Sequence, residues 1–196
     1  MPIEQDKQER ILAAAAERFA RFGFKKTSID EIARDAGVGK GTVYLVAESK
    51  EDLFFQVVHR ELRAWVAEGA TLVDPRRPAD ELLVEGTMIS IGWLQDRPLV
   101  RDLLLGNHEE VLPLWTDRLD DLRAICRVHT ETMLRLGVRQ GRFRRDLDVE
   151  GVAVVLQDLL IAGLALDYRL RRPIDEQARS SRLCLDLLLR GLLARP

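Results

Sequence analysis

Two short segments of helical periodicity lie almost end to end in this chain, and no other feature of the sequence restricts the fold as tightly. In the first, Ile29, Ile32, Ala33 and Ala36 share one face, and Ser28 with Glu31 has the S-x-x-E spacing of a capping box. Gly37 stops it after about two turns. The second begins near Lys40 and is expected to run to about Val46. A spacer this short leaves no room for antiparallel packing, so the two helices must cross steeply, as in a helix-turn-helix.

The flanking segments are helical as well. A first helix is expected over residues 6–22, with Ile11, Leu12, Ala15, Phe19 and Phe22 on one face and Gly23 as a left-handed cap. Ser49 and Asp52 have N-cap spacing before a long helix carrying Leu53, Phe54, Val57, Val58, Leu62 and Trp65 towards Gly69. Residues 74–78, with two prolines, read as a linker. Helical patterns resume over 79–95, 98–105 and 113–136, a loop follows at 141–148, and two last helices cover 149–170 and 175–193. No period-2 alternation occurs. The expected fold is all-α with about nine helices: a three-helix head with a helix-turn-helix over residues 1–50, and a helical bundle body over 51–196.

Composition narrows the function classes. Hydrophobic residues make up 46% and charged residues 32% of 196, the balance of a globular chain. The two cysteines, Cys126 and Cys184, have no CxxC or disulfide-framework spacing, and the polar first ten residues lack the form of a secretory signal, so a cytoplasmic protein is expected. The most apolar stretch, 152–166, is interrupted by Gln157 and Asp158, and no membrane span is expected. His59, His108 and His129 have no HExxH spacing, and there is no nucleophile elbow, so an enzyme is not indicated. His108 with Glu109 and Glu110 points to different sides of a helix, and neither a metal nor a cofactor is expected. The net charge of −2 says little about nucleic acid, but all five lysines precede residue 51.

The run from Arg10 to Phe24, then Thr27 to Val38, Gly41-Thr42-Val43-Tyr44 and Ser49-Lys50-Glu51-Asp52-Leu53 resembles the tetracycline-repressor (TetR/AcrR) family. The 141–148 loop and the leucine-rich last helices are similar to that family by pattern. The resemblance implies an all-helical homodimer with a DNA-binding head and a body that takes a small-molecule inducer. Residue chemistry agrees. The start of the second short helix projects outward, where Lys40 suits guanine or phosphate, Gly41 lets the backbone approach, and Thr42 and Tyr44 suit phosphate or a thymine methyl. Lys25, Lys26, Thr27 and Ser28 at one helix start, and Lys50 at another, are expected to hold phosphates of a double-stranded operator. Two positions depart from the family pattern: Gly39 stands where a Ser is common, and Leu45-Val46-Ala47 replaces aromatic or His residues. The second departure keeps open an alternative, a dimeric ligand- or protein-binding module with weakened DNA binding.

In the body, Trp65, Met88, Trp93, His108, Trp115, His129 and Met133 are expected to line an apolar pocket with a few polar handles, the inducer being unknown. The last two helices are apolar around much of their circumference and need covering on two sides. Val155, Leu159, Ala162, Gly163 and Leu166 on one, with Leu185, Leu188, Leu189 and Leu192 on the other, are the expected seam of the homodimer.

Overall fold

The first helix, α1 (Gln5–Phe22), ends where Gly23 takes φ +77°, the left-handed conformation its lack of a Cβ permits. It opens a computed structural model that describes residues 5–71, 73–104 and 116–192, all of whose regular elements are helices. The short pair is α2 (Ile29–Asp35) and α3 (Lys40–Val43), with Gly37 at φ +65° between them. The body follows as α4 (Lys50–Thr71), α5 (Ala79–Gln95), α6 (Pro98–Leu104), α7 (Thr116–Arg139), α8 (Val149–Arg169) and α9 (Ile174–Leu192).

The α3 helix is shorter than expected. Leu45 N–H donates to Thr42 O at 3.2 Å and Val46 N–H to Val43 O at 2.9 Å, so residues 44–46 wind as a tight turn rather than as α-helix. Ala47 is buried at its end and anchors this turn to the core.

One apolar core runs through the expected boundary at residue 50. Phe19 and Phe24 pack on Phe54, with ring centroids 4.9 Å and 5.4 Å from it, in edge-to-face geometry. Ile32, Ala33 and Val43 join this cluster from the helix-turn-helix, and Leu99, Val100 and Leu103 of α6 and Leu122 of α7 join it from the body. A second core, built on Leu83, Met133, Leu134, Phe143, Leu156 and Leu185, unites α5, α7, α8 and α9. The 141–148 loop belongs to it: Gly137 has no side chain because the Phe143 ring occupies the space a Cβ would take.

The last two helices divide their apolar residues differently from the expectation. On α8 the expected seam is exposed: Val155, Leu159, Ala162, Gly163 and Leu166 all face outward. On α9, Leu185, Leu189 and Leu192 are buried inside the protomer and Leu188 packs against the same core, so these four belong to the second core and not to an outer seam. The exposed large apolar residues on α9 are Ile174, at its start, with Leu183 and Leu187. A helix with leucine on most of its sides does not reveal by its periodicity which side meets its own domain. By length and composition alone α8 is also apolar enough to cross a bilayer, contrary to the reading of its interrupted run. In the fold it packs on α7 and α9, and Asp158 pairs with Arg123 and Asp167 with Arg172.

Candidate nucleic-acid interface and internal cavity

The turn between α2 and α3 is fastened by polar bonds that the sequence pattern only partly reveals. Ser28 Oγ accepts from Glu31 N–H at 3.3 Å and the Glu31 carboxylate accepts from Ser28 N–H at 3.0 Å, completing the expected capping box. Arg18 on α1 reaches both Glu31, at 3.0 Å, and Asp35, at 2.5 Å. Bonding from Ser28 holds Glu31 below the usual carboxylate range, and bonding from Arg18 does the same for Asp35. Arg10 donates to Ala36 O at 3.2 Å, closing the C-terminal end of α2. These two arginines were missed as positioning residues, because a basic side chain on an amphipathic helix reads as solvated surface.

With the turn fixed, one face of α3 projects outward. Lys40, Gly41 and Tyr44 are exposed and Thr42 is half-buried beside them, while Val43 points into the core. Lys40 Nζ lies 2.9 Å from Asp30, which raises its pKa further and keeps it cationic. Tyr44 is 48% exposed, and Leu45 beside it is 67% exposed. Leu45 thus continues the outer face, while Val46 turns its carbonyl to accept from Gln56 at 2.8 Å and Ala47 closes the core. Lys25 and Lys26 are exposed in the turn before α2.

Three expected phosphate contacts take other roles. Thr27 is 2% exposed and its hydroxyl donates to Gly23 O at 2.8 Å, so its side chain ties the turn together. The Ser28 hydroxyl is committed to Glu31. Lys50 Nζ donates to Phe24 O at 3.0 Å and Thr27 O at 3.1 Å and sits 4.2 Å from the Phe24 ring centroid. It therefore staples the start of α4 to the preceding turn.

The body contains an internal cavity between α4, α5, α7 and α8. Of the expected lining residues, Trp65, Trp93 and His129 meet there, with the two indoles 5.8 Å apart. Met133 is fully buried in the second core, and Met88 packs between that core and Ile91, so neither lines this cavity. His108 and Trp115 lie outside the described residues. The unexpected lining includes Gln157, Cys126 and Leu160. Gln157 had a legible signal: a lone amide inside an apolar helical run is a polar group aimed inward. Burial pushes the Cys126 thiol up to about 12 and lowers the His129 pKa, so the thiol and the imidazole are both neutral at pH 7. The imidazole lies against Gly69 and Gly86, and a Cβ at Gly86 would collide with Nε2. Leu62 both lines the cavity and belongs to the head core, and Trp93, Leu94 and Cys126 line it while packing on that core.

Comparison with known proteins follows the same division. Residues 11–57 match the family model described as bacterial regulatory proteins, tetR family. Across nearly the whole length the chain is similar to the HTH-type transcriptional regulator YhgD of Bacillus subtilis (strain 168), 25% identical over 96% of this chain and 98% of that one. The HTH-type transcriptional repressor KstR2 of Mycolicibacterium smegmatis is 28% identical, covering 78% of this chain and 75% of its own. Among solved structures, the fatty acid degradation regulator FadR from Bacillus halodurans superposes with a TM-score of 0.74 over 94% of this chain and 96% of that one, at 17% identity.

Proposed function

Because the chain belongs to the tetR family of bacterial regulatory proteins and is a helix-turn-helix transcriptional regulator, we propose that its homodimer grips an operator with two copies of α3 and lets go when the body cavity fills. The observation that carries this reading is the outward face of α3, held by a capping and ion-pair network within the family-matching residues. On it Lys40, Gly41, Thr42 and Tyr44 read the major groove, and Lys40 exchanges Asp30 for DNA. Lys25 and Lys26 hold phosphates beside it.

The two heads are placed by the outer face of α8, where Val155, Leu159 and Leu166 continue onto Leu183 and Leu187 of α9. Gly163, whose absent Cβ would meet nothing within the protomer, allows close approach of a second copy. Release follows from the shared core. A ligand that displaces Leu62, Trp93 or Leu94 also moves atoms that support α1, α4 and α6, and so changes the spacing of the two α3 helices. The repressor's site of action is cytoplasmic DNA.

The reading is tested on the DNA flanking the chain's own gene. Binding should weaken steeply with salt, and Lys40→Ala or Tyr44→Ala should each cost about 1–3 kcal/mol of operator affinity with the helical content intact. Leu159→Arg should yield monomers by sedimentation and lose the operator at the same time. Unchanged operator affinity in both α3 variants would favour the alternative, a dimeric binding module whose head no longer reads DNA.

A further inference from the structure

Four buried side-chain polar atoms lack a hydrogen-bond partner among the described residues: Trp93 Nε1, His129 Nε2, Gln157 Oε1 and Glu61 Oε2. Three of the four belong to residues that line the body cavity. Buried groups of this kind cost stability when left unmade, and their concentration around one space marks it as built for an occupant that supplies the missing partners.

The orphan atoms specify chemistry. Trp93 Nε1 can only donate. The orientation of Gln157 is set by Arg123 O, a pure acceptor 3.3 Å from Gln157 Nε2, which leaves Oε1 as the free atom and a pure acceptor. The lining residues therefore bring one unmet donor, Trp93 Nε1, one unmet acceptor, Gln157 Oε1, and the His129 ring nitrogen, which can serve as either. Among the described residues no Lys, Arg, Asp or Glu lines the cavity. Of the hydroxyls on lining residues, Thr87 donates to Leu83 O at 2.8 Å and Ser90 to Gly86 O at 2.7 Å, and Thr130 adds a third. Arg97 stands 5.4 Å from the Trp93 ring centroid, and neither it nor Glu61 on α4 is among the lining residues. An ion entering this space would lose hydration and meet no counter-charge among the described lining residues.

We propose that the cavity selects an uncharged, largely apolar molecule whose polar group both accepts and donates a hydrogen bond, such as an aliphatic alcohol or primary amide, and rejects the matching carboxylate or ammonium ion. The polar group takes the Trp93 N–H on its oxygen and gives its own proton to Gln157 Oε1. The remaining apolar surface lies against Trp65, Leu62, Leu160 and Leu164. Neutral His129 completes the polar end, which stays uncharged at pH 7.

This inference rests on the reading of the body as ligand-binding, and its test separates the two. Octanol, octanamide, octanoate and octylammonium are titrated into the full-length protein at pH 7.5 by calorimetry, and operator binding is measured in parallel. Octanol and octanamide should bind at least about tenfold more tightly than either ion. Trp93→Phe keeps the ring and loses the donor, and Gln157→Leu keeps the bulk and loses the acceptor. Each should reduce the preference for octanol over the ions by about tenfold, and if one variant fails to fold the other carries the test. Octanoate or octylammonium binding as tightly as octanol, or no binding by any of the four, overturns the proposal. Octanol binding supports it whether or not the operator is released, while binding without release removes the release mechanism alone.

Discussion

In the head, Thr27 Oγ1 donates to Gly23, Ser28 and Glu31 bond each other, Arg18 spans Glu31 and Asp35, and Lys50 fastens two carbonyls. In the body, Trp93, His129 and Gln157 each bring a buried polar atom to one cavity and leave it unmet. The contrast separates two kinds of recognition. A surface that reads DNA must be held rigid before contact, so most of the head's polar groups are spent on internal geometry, leaving the outer face of α3 and the exposed Lys25 and Lys26 for the proposed contacts. On the proposed reading, the body cavity keeps its polar groups in reserve for a ligand, at some cost to the empty protein.

The contrast breaks most visibly at Phe54, in the core that the head shares with α4, α6 and α7. Phe54→Ala removes the ring on which Phe19 and Phe24 pack and should cost about 3–5 kcal/mol in urea denaturation, with loss of operator binding. A cost near 1 kcal/mol would mean that the head is held mainly by its polar network. Next in size is that network itself: Ser28→Ala removes the N-cap of α2 and should cost about 1 kcal/mol. An unchanged urea midpoint would show that Arg18 alone suffices to hold α2.

Acid should loosen the two regions in sequence. Burial lowers the pKa of His129, and burial with Arg63 lowers that of His59, below the ordinary 6.5. Their contribution to stability is therefore present above pH 6.5 and lost as pH falls below it towards the folded values. Glu31 and Asp35 are also lowered, from 4.5 and 3.8, so the contribution of the head network persists until pH falls through those lower values. Hydrogen exchange should show α7 opening at a higher pH than α2, and simultaneous opening would erase this part of the comparison. The smallest expected effect is in the empty cavity. Trp93→Phe deletes an unpaired N–H and should shift stability by less than about 1 kcal/mol, whereas a clearly larger loss would show that the indole N–H is bonded in solution.

The head was the more legible half for a local reason. Its signals, S-x-x-E at Ser28, Gly23 and Gly37 at left-handed positions, and Ser49 before Asp52, act within a few residues, and the structure holds each where the spacing places it. The roles of Thr27 and Lys50 were not legible, because their partners are carbonyls left over by the way α1 and α4 meet. In the body, Trp65, Trp93 and His129 converge as expected, but Met133 does not, since a thioether on an apolar face fills a core as readily as it lines a pocket. Gln157 was overlooked because a residue that interrupts an apolar run is read first as a break.

Sequence alone determined the all-helical class, the element order to within a few residues, the helix-turn-helix and the outward projection of its α3 face, since these depend on periodicity and on caps that act over one or two turns. Tertiary structure decided which apolar face of α8 and α9 is inward, which lysine is a staple and which is free, and which polar atoms are left unmatched around the cavity. Those outcomes depend on the distance between groups far apart in the chain, and helical periodicity records only the direction in which each side chain leaves its own axis.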